Sequence, residues 1–173
     1  MKRLGLLVSA LAVAAMAAPV MAQNPPASPR GSATGTVGAA KIEISYGRPS
    51  KRGRQIWGGP LLNVPNEQVW RLGANEATSL KTSAPITIGT VNVPAGDYTL
   101  YFLHPADGSA RLIVNKQTGQ WGTNYDEKQD LGRTDLKMEK LTTPVEQLTI
   151  SIEGGALKIA WDDRAYTAPI TAK

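Results

Sequence analysis

The sequence predicts an all-β fold, an antiparallel β-sandwich of jelly-roll or immunoglobulin-like type. Three observations support this prediction. After Ala40 the dominant period of apolar residues is two rather than 3.6, the strand-like segments are short and bounded by turn residues, and a Gly-Gly pair joins two alternating stretches near the carboxyl terminus. These features are typical of packed antiparallel sheets and not of an α/β domain.

The first strand signal of the predicted domain comes directly after Ala40. Ile42, Ile44 and Tyr46 alternate with polar residues, which gives a half-buried strand with one apolar face. The segment 97–104 is apolar on both faces, as expected of a central strand. Further strands are predicted at residues 69–72, 78–82, 86–88, 91–93, 111–115 and 134–141, and a long loop is predicted at 117–132.

The carboxyl-terminal hairpin has the strongest local signal. Residues 148–152 and 157–161 alternate in the same way on either side of Gly154 and Gly155, a pair that supplies the positive φ angles of a tight turn. We expect a last strand at 165–170 after a turn at 162–164.

Residues 1–22 have the pattern of a cleavable signal peptide. Lys2 and Arg3 precede an apolar stretch that ends at Pro19, and small or modest side chains suit cleavage between Ala22 and Gln23. The chain has no cysteine, which excludes a lipid anchor at the processing site and also any disulfide. We therefore expect an exported bacterial protein, periplasmic or extracellular, with no transmembrane or lipid anchor after processing.

The remainder divides into two parts by composition. Residues 23–39 are rich in Pro, Gly and Ser and predict a flexible lead-in, and residues 40–173 predict a single β-sandwich domain. The formal net charge of +5 includes two basic residues of the signal peptide, and the other charges of both signs are scattered. This balance does not indicate a nucleic-acid partner.

The residue types disfavour the common catalytic and metal sites. One histidine and no cysteine leave too few ligands for zinc, so no metal and no cofactor are predicted. His104 is interpreted as a half-exposed residue at a strand end. No serine lies in a Gly-x-Ser-x-Gly motif, and no catalytic residue is assigned.

Two clusters of arginine, tryptophan and polar residues predict a ligand site. Arginine forks bind carboxylate or phosphate, and tryptophan rings stack on sugars or other rings. The candidate residues are Arg48, Arg54, Trp57, Trp70, Arg71, Asn75 and Glu76.

The alternative interpretation of these clusters is structural. Arg71 would then pair with Glu76, Asn75 would take a turn conformation and the tryptophans would plug the ends of the sandwich. One open concavity lined by Arg48, Arg71 and Glu76 would favour binding, whereas covered and mutually satisfied side chains would favour a structural network.

The long loop supplies a secondary set of candidates, Trp121, Tyr125 and Asp126. Long ordered loops often carry function. The alternative is that Trp121 only pins the loop onto the sandwich.

Three function classes are compatible with these features. The leading hypothesis is a non-catalytic module that binds a small polar ligand, a glycan or an envelope partner. The second is a hydrolase acting on carbohydrate or envelope material, with Glu76 and a second carboxylate such as Glu43. The third is a structural or assembly protein that uses edge-strand pairing.

Four stretches of the sequence carry a family resemblance. They are Tyr-Gly-Arg-Pro-Ser-Lys-Arg-Gly-Arg-Gln-Ile-Trp-Gly-Gly at 46–59, Val-Trp-Arg-Leu-Gly-Ala-Asn-Glu-Ala-Thr at 69–78, Pro-Ala-Gly-Asp-Tyr-Thr-Leu at 94–100, and Trp-Gly at 121–122 with Tyr-Asp at 125–126. In this order they resemble the motifs of a bacterial family, domain of unknown function 2911. The resemblance implies an exported protein and supplies no catalytic residues.

Overall fold

The computed structural model describes residues 27–58, 64, 66–105, 107 and 109–173. The predicted signal peptide at 1–22 and the start of the predicted lead-in lie outside the described residues. Within them a short 3-10 helix spans Glu127–Gln129. The strands are β1 (Arg30–Val37), β2 (Ala40–Gly47), β3 (Val69–Trp70), β4 (Thr78–Thr82), β5 (Ile86–Ile88), β6 (Val91–Val93), β7 (Gly96–Leu103), β8 (Arg111–Asn115), β9 (Asp130–Asp135), β10 (Lys137–Glu153) and β11 (Ala156–Ala172).

The strands form two antiparallel sheets, so the predicted all-β sandwich is confirmed. The first sheet has the order β1-β2-β4-β7-β8-β9, with β3 paired to β7, and the second has the order β10-β11-β5-β6. The edges of the two sheets meet, because β1 contacts β10 and β6 contacts β9. The core therefore lies between two layers that approach each other along both sides.

Alternation along the strands fills this core as the sequence predicts. Ile42, Ile44 and Tyr46 of β2 are buried while Lys41 and Glu43 are exposed. Such alternation places apolar side chains on the inner face of a strand and polar ones in solvent.

The central strand β7 is buried on both faces, which confirms its predicted position. Leu100 and Phe102 belong to the core between the sheets. Tyr101, on the opposite face, is also buried, because the 116–129 loop covers it through Gln120 and Tyr125. This loop makes the outer face of the sheet part of the candidate site.

The carboxyl-terminal hairpin is confirmed, with Gly154 and Gly155 at φ angles of 56° and 74°. The predicted turn at 162–164 is wrong, because β11 continues through these residues. Asp162 instead takes a φ of 52° opposite Val145, where the register with β10 shifts. The polar Asp-Asp-Arg sequence suggested a turn, but the strand accommodates it as a β-bulge.

Two further expectations need correction. The flexible lead-in is wrong for Arg30–Val37, which pair with β2 along their whole length. The single strand predicted at 134–141 is also wrong, because the chain crosses from the first sheet to the second at the buried Leu136. The amide of Leu136 there donates to the Ala110 carbonyl oxygen, outside the strand ladders.

Among the described residues, no helix is long and apolar enough to cross a membrane.

Candidate functional site

The loops after β2, β3 and β8 meet around a cleft of about 440 Å³. We call it the arginine cleft. Its lining includes five of the predicted site residues, and two aromatic residues, Tyr101 and Trp161, that were not among the predicted ones. The described lining consists of Ser28, Pro49, Arg54, Val69, Trp70, Arg71, Gly73, Ala74, Asn75, Tyr101, Gly122, Thr123, Tyr125 and Trp161.

The cleft is positively charged. Arg54 and Arg71 line it, and its described lining residues include no aspartate or glutamate. Arg54 holds its own turn through hydrogen bonds from Nε to the Lys51 carbonyl oxygen at 2.9 Å and from Nη2 to the Ser50 carbonyl oxygen at 2.6 Å. Two arginines and no carboxylate among the described lining residues favour an anion.

Within the described part of the chain, one atom of the Arg71 guanidinium has a hydrogen-bond partner. Its Nε donates to the Gly73 carbonyl oxygen at 3.3 Å, and it forms no ion pair with any described residue. Gly122 packs so closely that an added Cβ would lie 2.7 Å from the Arg71 Cδ. The stem of Arg71 is thus held in place while its terminal amino groups have no partner among the described residues, as a carboxylate-binding fork requires.

Aromatic rings form the apolar part of the cleft. Trp70 stacks on Trp161 with ring centroids 5.7 Å apart, and its indole nitrogen donates to no described residue. Tyr101 and Tyr125 pack edge to face at 4.8 Å. A few polar groups set among aromatic walls are typical of small-ligand pockets.

The tyrosine hydroxyls of the cleft are fixed by neighbours. Tyr125 donates to Asp130 Oδ2 at 2.8 Å and accepts from Arg133 Nη2 at 2.9 Å. Burial raises the pKa of Tyr125 well above its ordinary value, and the hydrogen bond to Asp130 acts in the same direction. Tyr125 is therefore a neutral, oriented side chain at physiological pH.

The loop that carries Arg71 and Asn75 has unusual backbone angles. Leu72 and Asn75 have φ angles of 50° and 64°, a region that asparagine tolerates and a bulky leucine rarely adopts. The Thr78 hydroxyl donates to the Leu72 carbonyl oxygen at 2.8 Å and helps to hold this conformation. Such backbone strain is concentrated at functional sites in proteins generally.

Close packing explains why two separate motifs meet here. A Cβ at Gly47 would lie 2.0 Å from the Ala74 carbonyl oxygen, so only glycine allows the 71–77 loop to rest on the end of β2. From the other side, the Gly122 amide donates to the Asn75 carbonyl oxygen at 3.1 Å. The motifs at 46–59, 69–78 and 121–126 thus form one assembly.

Two of the predicted arginine and glutamate residues lie away from the arginine cleft. Arg48 donates from Nε to the Leu148 carbonyl oxygen at 3.2 Å and from Nη2 to Thr149 Oγ1 at 3.3 Å, which ties β2 to β10. Glu76 faces Arg30 at 3.5 Å, in a separate groove, and does not pair with Arg71. Arg48, Arg71 and Glu76 therefore lie in three different environments and do not line one open concavity.

The remaining candidates have local roles. Trp57 is buried in the core and donates from Nε1 to the Trp161 carbonyl oxygen at 3.0 Å. Asp126 caps the 3-10 helix by accepting from the Lys128 amide at 3.0 Å. Trp121 is 48% exposed, next to the cleft residue Gly122.

His104 is buried, so the expectation of a half-exposed residue is wrong. Its Nδ1 lies 2.7 Å from Asn66 Oδ1, and its Nε2 lies 3.3 Å from the Arg164 Nη1. Because a guanidinium can only donate, Nε2 accepts and the proton lies on Nδ1. Burial lowers the pKa of His104, and the charge of Arg164 lowers it further.

No set of three or more His, Asp or Glu side chains that could hold a metal ion occurs among the described residues.

A comparison with known protein families matches residues 28–170 to the family described as "Protein of unknown function (DUF2911)". No curated protein and no solved structure matches the chain. The match covers most of the sequence and contains all four motifs that resemble this family, so the chain belongs to the DUF2911 family of proteins of unknown function.

Proposed function

We propose that this protein is a non-catalytic binding module for a small anionic ligand that carries a carboxylate or phosphate group. The ligand is held in the arginine cleft. The observation that carries the proposal is Arg71, whose guanidinium lines a cleft with no carboxylate among its described lining residues and forms no ion pair with a described residue. An anion there would satisfy the terminal amino groups of this fork.

Aromatic and amide groups of the cleft supply the rest of the recognition. The largely buried Trp70 ring, stacked on Trp161, contributes an apolar edge to the wall of the cleft. Asn75 lines the same cleft, and its side-chain amide makes no hydrogen bond to a described residue. Both hydrogen-bond donors and an acceptor are thus available to a polar ligand.

The proposal includes export. Its support is the pattern of residues 1–22, a basic start followed by an apolar stretch and a small-residue cleavage site. The ligand is then a component of the cell envelope or its surroundings. The intact mass of the secreted or periplasmic form tests this part, because it should begin at Gln23.

The two alternatives have weaker support. Glu43 and Glu76 line different clefts, so a hydrolase could not use them as a pair. It would need another carboxylate beside Glu76, and Asp97 lines the same groove. Edge-strand pairing would have to displace existing contacts, because β1 lies against β10 and β6 against β9.

Thermal-shift titration tests the binding function. Glucuronate, citrate and inorganic phosphate are the anionic probes, and glucose is the uncharged comparison. A ligand that binds only the folded protein raises its unfolding free energy by about 2.7 kcal/mol at a concentration of 100 times Kd. We expect at least one anion to raise the melting temperature and glucose to leave it unchanged.

Variants of two arginines test whether the anion binds in the arginine cleft. Arg71→Gln should weaken anion binding tenfold or more, and Arg71→Lys should restore it only in part, because lysine keeps the charge and loses the fork. Arg111→Gln is the matched control, since Arg111 pairs with Asp135 outside the cleft. The proposal is wrong if no anion stabilises the protein, or if Arg71→Gln and Arg111→Gln behave alike.

A further inference from the structure

We propose that the ligand is an oligosaccharide with one terminal acidic sugar, which extends from the arginine cleft across Trp121 into a second groove. This inference rests on the proposed function, and it adds the ligand class and a second subsite. The acidic sugar occupies the arginine cleft, and neutral sugars follow it over the tryptophan.

The second groove, which we call the polar groove, has a volume of about 440 Å³. Its described lining is Arg30, Glu76, Ala77, Ser79, Asp97, Tyr98, Thr99, Thr118, Gly119 and Gln120. Carboxylate, hydroxyl and amide groups predominate, and these are the partners that sugar hydroxyls need. Arg30 pairs with Glu76 in this groove, which leaves Asp97 as an unbalanced negative charge in the described lining and disfavours further acidic sugars there.

Glu76 and Trp121 pair as an antiparallel bridge between the residues of the cleft and those of the polar groove, and we call this bridged pair the ridge. On one side of this pair the Gly122 amide donates to the Asn75 carbonyl oxygen at 3.1 Å, and on the other the Ala77 amide donates to the Gln120 carbonyl oxygen at 3.2 Å.

The two sides of the ridge belong to different cavities. Asn75 and Gly122 line the arginine cleft, whereas Ala77 and Gln120 line the polar groove. The Cα atoms of Gln120 and Gly122 are at most about 7 Å apart, the reach of two extended residues. A short sugar chain can therefore enter both cavities at once.

Trp121 stands on this ridge and is 48% exposed, although the other three tryptophans of the chain are buried. About half of Trp121 is covered and can help to hold the loop, while the other half faces solvent. The backbone hydrogen bonds on both sides of the ridge already hold the loop. An exposed indole beside polar cavities is suited to stack on a sugar ring.

Gln120 connects the two cavities through side chains. Its Nε2 donates to Thr99 Oγ1 at 3.2 Å in the polar groove and to the Tyr101 hydroxyl at 3.1 Å in the arginine cleft. The shared amide fixes the two walls relative to each other, so the two subsites have a set spacing.

The test compares three probes with the purified protein. They are glucuronic acid, a trisaccharide of glucuronic acid linked to xylobiose, and uncharged xylotriose. Because Trp121 is the exposed tryptophan, acrylamide quenching of tryptophan fluorescence reports mainly on its ring. We expect the acidic trisaccharide to bind at least tenfold more tightly than glucuronic acid and to protect Trp121 from acrylamide, and xylotriose not to bind measurably.

Three variants separate the two subsites. Trp121→Ala should lower the affinity for the trisaccharide to that for glucuronic acid and leave glucuronic acid binding unchanged. Trp121→Phe should keep most of the gain, because it retains a ring. Arg71→Gln should weaken the binding of both acidic probes.

The outcomes also separate this inference from the proposed function. Equal affinities for the two acidic probes, or an unchanged trisaccharide affinity in Trp121→Ala, would overturn the extended site. The proposed function would still hold if glucuronic acid bound in an Arg71-dependent way. Absence of binding by glucuronic acid and by the other anions would overturn both.

Discussion

Arg48 and Arg71 illustrate how one residue type takes two roles in this molecule. Arg48 follows β2 directly and donates its hydrogen bonds to acceptors on β10. Arg71 follows the short strand β3, where the next residues turn sharply, and among the described residues only its Nε has a partner. The two side chains look equivalent in the sequence, and only the position of nearby acceptors separates a structural arginine from one that is available to a ligand.

His104 provides a prediction at the scale of a single residue. Its pKa in the folded protein is lowered from the ordinary 6.5 by burial and by Arg164. The unfolded chain therefore takes up a proton at higher pH than the folded protein does. The free energy of unfolding should then fall as the pH drops through and below 6.5, and should be constant above it.

Thermal unfolding between about pH 5.5 and 7.5, above the carboxylate range, measures this effect. His104 is the only histidine of the chain, so no other imidazole contributes. The melting temperature of the wild type should decrease toward pH 5.5, and His104→Gln should show a flatter profile. Equal slopes for the two proteins would show that His104 is not the group responsible.

At the scale of elements, the 71–77 loop depends on the end of β2. A Cβ at Gly47 would lie 2.0 Å from the backbone oxygen of Ala74, so Gly47→Ala should push the loop away and cost about 1–3 kcal/mol of stability. The displaced loop carries Arg71 and Asn75, so anion binding should weaken as well. Urea unfolding and ligand titration measure the two effects.

Gly31→Ala is the comparison variant. Gly31 lies on β1 opposite Tyr46, and its added Cβ would meet the side chain of Arg48 rather than backbone. Arg48 does not line the arginine cleft, so this variant should keep ligand affinity even if it loses some stability. If Gly31→Ala impaired binding as much as Gly47→Ala, the close approach of the loop would not explain the site.

Strands with clear alternation were predictable from the sequence, as β2 and the hairpin of β10 and β11 show. β1 was not predictable, because Ala33 is its only buried residue and its stability comes from backbone pairing with β2. The bulge at Asp162 was missed for a related reason. Its polar sequence has the local composition of a turn, and only pairing with β10 carries the strand through it.

The bulge is also a contact point between elements. Asp162, which is buried, accepts a hydrogen bond from Lys51 in the loop after β2. This hydrogen bond is the main cause of the raised pKa of Lys51. The interaction links the second sheet to the loop that carries Arg54.

At the scale of the whole molecule, the packing of the two sheets assembles the arginine cleft. Trp70, Arg71 and Asn75 were predictable as candidates because they share one motif. Tyr101 and Trp161 were not, since they come from β7 and β11, in different sheets. The position of Glu76 in a second groove could not be predicted from the sequence either, because it depends on pairing with the 116–129 loop.

The central claim is that an anion binds in the arginine cleft. An NMR titration with glucuronate tests it most directly, because each of the four tryptophans gives an indole N–H signal. The indole nitrogens of Trp57 and Trp161 are bonded to backbone carbonyl oxygens, whereas that of Trp70 has no partner among the described residues.

We predict a saturable shift of the Trp70 indole signal and of the amides of Arg71 and Asn75, with little change at Trp57, and loss of the response in Arg71→Gln. The account would be contradicted if the Trp70, Arg71 and Asn75 signals stayed in place at saturating glucuronate. It would be contradicted equally if the largest shifts occurred at another basic surface, such as the groove of Arg111 and Arg133.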